Sequence, residues 1–178
     1  MELTVPSDSK SSSADFEQLP KGSHEAICID AIYPVVKQYE QEDPRNCVIF
    51  VFEVDKKRVG KDGTEDDSTY QVWSKSMTIS LHSKSILKPF LESWLDRELL
   101  PNDKLLLEEL VGKPAVIRTG QKRKKTKPDE TFVNIAVILP GKGEFKPTDG
   151  YERKDPVDYS DVKPGEKARK ANGEDVPF

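Results

Sequence analysis

The chain has 178 residues, 35% of them hydrophobic, and a formal net charge of -4. This is enough apolar material for one domain of ordinary size with residues left for tails, and the acidic balance excludes a surface coated uniformly in positive charge. No apolar run is long enough to cross a bilayer, and Met1 to Gln18 is dominated by Ser, Asp and Glu rather than by a hydrophobic signal, so residence in the cytoplasm is expected.

Residues 1–18 hold too little apolar surface to order themselves and read as a flexible arm. Gly22 to Tyr33 carries Ile27, Ile29 and Ala31 on one parity, the pattern of a first strand, and Pro34 is expected to end it. Lys37, Tyr39 and Arg45 belong to the polar connection that follows. Asn46 to Asp55 is apolar at nearly every position, so the second strand is expected to be buried on both faces, under a helix or another subunit. Lys56 to Ser68 is a charged connection with two turn glycines. Its acids, Asp62, Glu65, Asp66 and Asp67, do not follow the calcium-loop spacing and read as solvated.

Between Tyr70 and Leu100 the period of the sequence changes. Met77, Ile79 and Leu81 alternate with Ser76, Thr78 and Ser80, which predicts a third strand with one buried face. From Ser83 onward Ile86, Leu87, Phe90, Leu91, Trp94 and Leu95 recur every three or four residues, which predicts a helix capped by Ser83 or Ser85, with Pro89 favouring the later start. A short helical segment follows over Asp103 to Val111, stopped at Gly112. The fourth and fifth strands are predicted over Lys113 to Thr119 and Thr131 to Leu139. Val133, Ile135, Val137 and Leu139 share one face of the fifth, and Pro140 closes the domain.

A helix inserted between the third and fourth of five strands is the arrangement of an OB-fold, a small Greek-key barrel that binds oligonucleotides and oligosaccharides. The expected architecture is therefore mainly β: a five-stranded OB-fold barrel over residues 19–143, flanked by the arm and by a flexible charged tail over 144–178. Cys28 and Cys47 fall inside predicted strands without a CxxC pair, so both read as buried free thiols; His24 and His82 lie far apart in sequence, and no metal or cofactor is expected.

The positive charge is local. Residues 120–130 place Lys122, Arg123, Lys124, Lys125 and Lys127 at one hairpin tip, in one of the two loops that flank the groove of an OB-fold; the other is the connection between the first two strands, where Lys37, Tyr39 and Arg45 are further DNA-binding candidates. Cations there neutralise phosphates without reading sequence. Arg118 and Lys75, on the strands, are expected to extend the groove. Single-strand binding also needs flat rings for base stacking, and the candidates are Tyr33, Tyr39, Tyr70, Trp73 and Phe132. Strand parity predicts that Tyr70 and Phe132 face outward, whereas Trp73 shares parity with Met77 and would need a bulge to do so.

From Glu144 the composition shifts to Lys, Asp, Glu, Pro and Gly without sustained period, which reads as a mobile tail. It ends Glu174-Asp175-Val176-Pro177-Phe178. A terminal aromatic stiffened by proline and preceded by acids suits a docking peptide. That ending resembles the acidic tip of bacterial single-stranded DNA-binding proteins, a few Asp or Glu followed by Ile-Pro-Phe, which recruits replication and repair enzymes; here Val176 stands where Ile is usual. The body, notably Ser74 to Trp94 and Leu107 to Ala115, is similar to phage-encoded OB-fold proteins associated with DNA replication, over roughly Leu19 to Lys142. The resemblance implies a phage-encoded single-stranded DNA-binding protein in the host bacterial cytoplasm, active in replication, recombination or repair, with no catalytic residues. An OB-fold interaction module that docks a replication protein without binding DNA is the alternative. An enzyme such as a nuclease is disfavoured, because no acids cluster with metal-ligand spacing. A sheet with an exposed apolar edge also makes a homodimer an open expectation.

Overall fold

The computed structural model describes residues 16–38, 43–125, 127–159 and 169–170. The chain is mainly β. Strands β1 (Gly22–Lys37), β2 (Arg45–Val59), β3 (Glu65–Trp73) and β4 (Met77–Thr78) precede helix α1 (Leu87–Leu95) and a 3-10 turn at Leu107–Leu110; β5 (Pro114–Arg123), β6 (Thr131–Pro140), β7 (Val157–Tyr159) and β8 (Arg169–Lys170) follow. The sheet runs in the order β3-β2-β1-β5-β6, with antiparallel pairing throughout that path. Hydrogen-bond pairing does not join β3 to β6, so the sheet is unclosed along that seam. No helix among the described residues is long and apolar enough to cross a membrane.

The inner face of the sheet holds the main core. Val48, Phe50, Phe52 and Val54 of β2 point into it with Ala26, Cys28, Ala115 and Ile117. Helix α1 covers them with Leu87, Leu91 and Trp94. Trp94 is the hub of the cluster. Its ring meets Phe50 and Phe52 edge-on at 5.6 and 5.2 Å, and its indole N–H donates to the Pro114 carbonyl at 2.9 Å, so the one polar atom of the side chain is satisfied. Burial pushes the Cys28 thiol up to about 12; both cysteines are buried and neither is in a disulfide.

Three local devices set which residues face inward, and each changes what parity alone predicts. At Ser74 the third strand breaks. The Ser74 hydroxyl accepts from the Phe50 amide at 2.9 Å in place of a ladder bond, and the chain re-pairs as β4 against Cys47 and Val48. The break resets parity, so Tyr70 and Val72 point into the core with Met77; Ile79 and Leu81 lie beyond the two-residue β4 and are exposed. In β6 the register slips between Val137 and Ile135, leaving Ala136 as a bulge. Val133 and Ile135 therefore lean on the core, whereas beyond the bulge Ile138 is buried and Val137 and Leu139 are exposed. In β1 a slip at Ile29 does the same.

Other boundaries also move. The Tyr33–Pro34 bond is cis, and β1 continues past it to Lys37, because Pro34 sits in a register shift where no ladder amide is required. The charged segment 56–68 is largely strand: β2 runs to Val59, β3 starts at Glu65, and a tight turn at Gly60–Thr64 joins them. The helix begins at Leu87, whose amide donates to the Ser85 hydroxyl, and leaves Ile86 exposed at its N-cap. Residues 103–111 form only the single 3-10 turn.

The outer face of β1 and β2 carries a second apolar cluster: Ile27, Ile29, Ile32, Val35, Cys47 and Val51. What covers it is the segment expected to be a mobile tail. Phe145, Tyr151 and Val157 pack on it, and β7 adds in parallel to Val35–Lys37 of β1. Two buried carboxylates fasten this strap. Asp30 accepts from the Tyr151 hydroxyl (3.1 Å), Arg153 Nε (2.9 Å) and the Lys154 amide (2.7 Å). Glu53 accepts from the Thr148 amide and hydroxyl and from the Thr69 hydroxyl. Arg153 reaches on to Glu108 at 2.6 Å, and Tyr33 donates to the same carboxylate at 2.7 Å. The tail expectation is thus corrected over 144–159, and the doubly apolar second strand is covered from within the chain. The expected arm is anchored from Phe16 on: Phe16 bridges to Gly60 under the Arg58 guanidinium, and Gln18 bonds to Thr131.

Candidate nucleic-acid interface

The cationic hairpin is the end of the β5–β6 ribbon. Because β5 pairs antiparallel with β1 through Gly22 and Thr119, the ribbon projects past the start of β1 as a two-stranded extension. Ala115, Ile117 and Thr119 of β5 face the core, so Val116, Arg118, Gly120 and Lys122 face outward. Their cross-strand partners on β6 place Val137 opposite Arg118, Asn134 opposite Gly120 and Phe132 opposite Lys122. Side chains of such directly opposed pairs share one face, with Cβ atoms about 5 Å apart. The outer face of the ribbon is therefore a row of alternating cationic, small and apolar groups. Phe132 is 42% exposed and Val137 and Leu139 are similarly open.

The tip is only partly spent on itself. Lys124 and Lys127 both pair with Glu130, at 2.6 and 3.0 Å, and hold that carboxyl below its usual range through their hydrogen bonds. The Lys124 amide also donates to the Glu130 carbonyl, closing the loop. Lys122, Arg123, Lys125 and Arg118 are exposed, and none of them forms an ion pair among the described residues. The arrangement can neutralise phosphates with Lys122 and Arg118 while offering the Phe132 ring to a base beside them.

The other anticipated contacts do not gather here. Lys37 and Arg45 face each other across β1 and β2, at the end of β1 opposite to the ribbon. The two loops expected to flank one groove thus leave opposite ends of that strand. Tyr39 lies outside the described residues, as do Thr126 and Glu174, Asp175, Val176, Pro177 and Phe178. Tyr70 is a correction: its ring is 7% exposed in the core and its hydroxyl accepts from the Val59 amide, which removes it as an outward stacking surface. Trp73 is half-buried opposite Val51 and packs on the outer cluster of β1 and β2. Tyr33 packs on the core with its hydroxyl on Glu108, whose hydrogen bond pushes the phenol pKa up.

Lys75, exposed at the strand break, lines a cleft of about 250 Å³ with Ile86, Phe90, Ile135 and Val137, at the seam between β3 and β6. The strap's dependence on Asp30 and Glu53 is not among the features the sequence periodicity predicts, although a signal exists: a lone carboxylate inside an otherwise apolar strand requires donors from elsewhere. Among the described residues no group of three or more His, Cys, Asp or Glu side chains is arranged to hold a metal ion. No protein-family model matches this chain, and no curated protein is significantly similar to it.

Proposed function

We propose that the chain is a phage-encoded, sequence-independent single-stranded DNA-binding protein built on an OB-type sheet. It coats exposed strands during replication, recombination or repair and performs no catalytic step. The observation that carries this reading is the outer face of the β5–β6 ribbon, where Arg118 and Lys122 stand without acidic partners beside the exposed Phe132 ring in a net acidic chain, with Arg123 and Lys125 exposed at the adjoining tip. Counterion release at the cations supplies affinity for any sequence, and stacking selects unpaired bases over duplex.

The OB reading is supported by strand order and by α1 lying between β4 and β5. Parts of β3 and β6 also approach within 8 Å, Cα to Cα, although no ladder joins them. The Glu174 to Phe178 tip completes the reading as the segment that recruits replication or repair enzymes. Deleting it is expected to leave DNA affinity unchanged or raised and to abolish partner binding.

A second reading, a protein-docking module without DNA binding, draws on the exposed Ile86 and Val137 that line the seam cleft. Fluorescence anisotropy of labelled oligo-dT at two salt concentrations, with the matching duplex as control, separates the two. Single-strand binding that weakens steeply with salt supports the first, and no binding at low salt supports the second.

A further inference from the structure

The seam between β3 and β6 is irregular on both sides. β3 ends at Trp73, and beyond it Ser74 replaces a ladder bond with its hydroxyl. On β6 the bulge at Ala136 leaves Val137 exposed. Ser74, Lys75, Ala136 and Val137 all line the cleft of about 250 Å³. Bulges at sheet edges re-aim side chains or end pairing beside sites. Here the two irregularities keep the seam open where continued pairing would close it.

The walls are apolar and fixed in place. Ile86 is 54% exposed at the helix N-cap, and it lines the cleft with Pro89 and Phe90. The Phe90 ring stacks on Phe50 at 5.7 Å and 7°, so the core sets its orientation before anything binds. Ser93, also in the wall, donates its hydroxyl proton to the Ile138 carbonyl, which ties α1 to β6 and leaves the hydroxyl oxygen as an acceptor. No acid lines the cleft. Its volume lies below the roughly 300–1,000 Å³ of clefts that enclose drug-sized ligands, so it suits one planar group.

Charge and continuity identify that group. Lys75 is exposed on one rim, and Arg118 stands directly across β5 from Val137 on the other. Neither cation forms an ion pair among the described residues. Val137 therefore belongs both to the cleft and to the outer face of the ribbon. It lies about 13 Å along β6 from Phe132, at 3.3 Å per residue with the bulged residue left out. A strand held at Lys122 and Phe132 reaches the cleft within a few nucleotides.

We propose that the seam cleft takes a single unpaired nucleobase of the strand held on the ribbon, with Arg118 and Lys75 meeting the phosphates on either side of it. A paired base is stacked within its duplex and does not enter, so the cleft adds to the preference for single strands. The inference rests on the ribbon reading for the strand that delivers the base.

The test is a methyl and amide chemical-shift titration of the full chain with two strands of equal length and charge, oligo-dT and an oligonucleotide of abasic sites. With oligo-dT, saturable shifts are expected at the Ile86 and Ile135 methyls and at the Lys122 and Arg123 amides. With the abasic strand only the ribbon amides are expected to respond. Ribbon shifts with silent cleft methyls under oligo-dT overturn the base site and leave the ribbon reading intact, whereas silence at both overturns the two together. Cleft shifts of equal size with the abasic strand assign the contact to the backbone and overturn the proposal. Ile86→Ala, at an exposed position, is expected to weaken oligo-dT about tenfold without altering the salt slope or the affinity for the abasic strand. Equal weakening of both strands, or of neither, overturns the proposal.

Discussion

The outer face of the sheet is divided into two halves with opposite uses of charge. Over β1 and β2 the strap of residues 144–159 lies on apolar side chains, and the charged groups that fasten it are consumed internally: Asp30 and Glu53 are buried and accept from strap donors, and Arg153 bridges Asp30 to Glu108. Over β5 and β6 the same face is open, and Arg118 and Lys122 have no acid to meet. A charge already paired in a low-dielectric setting stabilises the fold and offers little to a partner, whereas an exposed cation contributes little to stability and retains its full attraction for phosphate. The difference fits the proposed reading, in which the first half serves structure and the second serves binding.

The sharpest way to break this comparison is to remove the strap's anchor. Arg153→Ala leaves Asp30 buried with one ionic partner fewer, and a loss of about 3 kcal/mol is expected in urea unfolding. Oligonucleotide affinity of the folded variant should stay the same; a large drop would mean that the covered half also binds. In the open half, replacing Lys122, Arg123 and Lys125 together by Ala is expected to lower single-strand affinity by on the order of 100-fold at low salt. The same change should reduce the log–log salt slope by about 2, since each phosphate contact contributes roughly 0.7 on a single strand. Its unfolding midpoint should barely move, because surface substitutions of this kind stay within about 0.5 kcal/mol. Phe132→Ala should cost on the order of tenfold in affinity and leave the salt slope unchanged, as a stacking contact does.

The smallest effect is expected with pH. Glu108 is held below its ordinary carboxyl range, first by the Arg153 guanidinium and then by the Tyr33 hydroxyl, so the stability it adds is present above the ordinary carboxylate pKa and is lost as pH falls through the lowered value. Tyr33 is shifted upward by its bond to Glu108, so its contribution holds below the ordinary tyrosine pKa and is lost as pH rises through the raised one. Glu108→Gln should flatten the acid limb of a stability–pH profile and leave oligonucleotide binding unchanged at neutral pH.

How much of this was legible in the sequence depended on whether a short period carried the information. Val48, Phe50, Phe52 and Val54 alternate without interruption, and the stripe through Leu87, Leu91 and Trp94 holds its helical spacing; those elements form where the pattern puts them. Parity failed where one residue resets it. The Ser74 break turned Tyr70 inward, and the Ala136 bulge exposed Val137 and Leu139, because a single extra residue exchanges the faces of everything beyond it. The strap was illegible by composition, since its order rests on three spaced apolar residues and on hydrogen bonds to Asp30 and Glu53, more than 90 residues earlier in the chain. The cationic tip was visible as a run of lysines; which of them Glu130 occupies depended on the geometry of the hairpin.

The division of the outer face is tested most directly by hydrogen–deuterium exchange on the full chain, with and without saturating oligo-dT. The account predicts slowed exchange over β5 and β6, concentrated between Arg118 and Asn134, with the strap over residues 145–157 unchanged. Protection of the strap with no change in the ribbon would contradict it, and would place the strand on the half of the sheet that the chain covers itself.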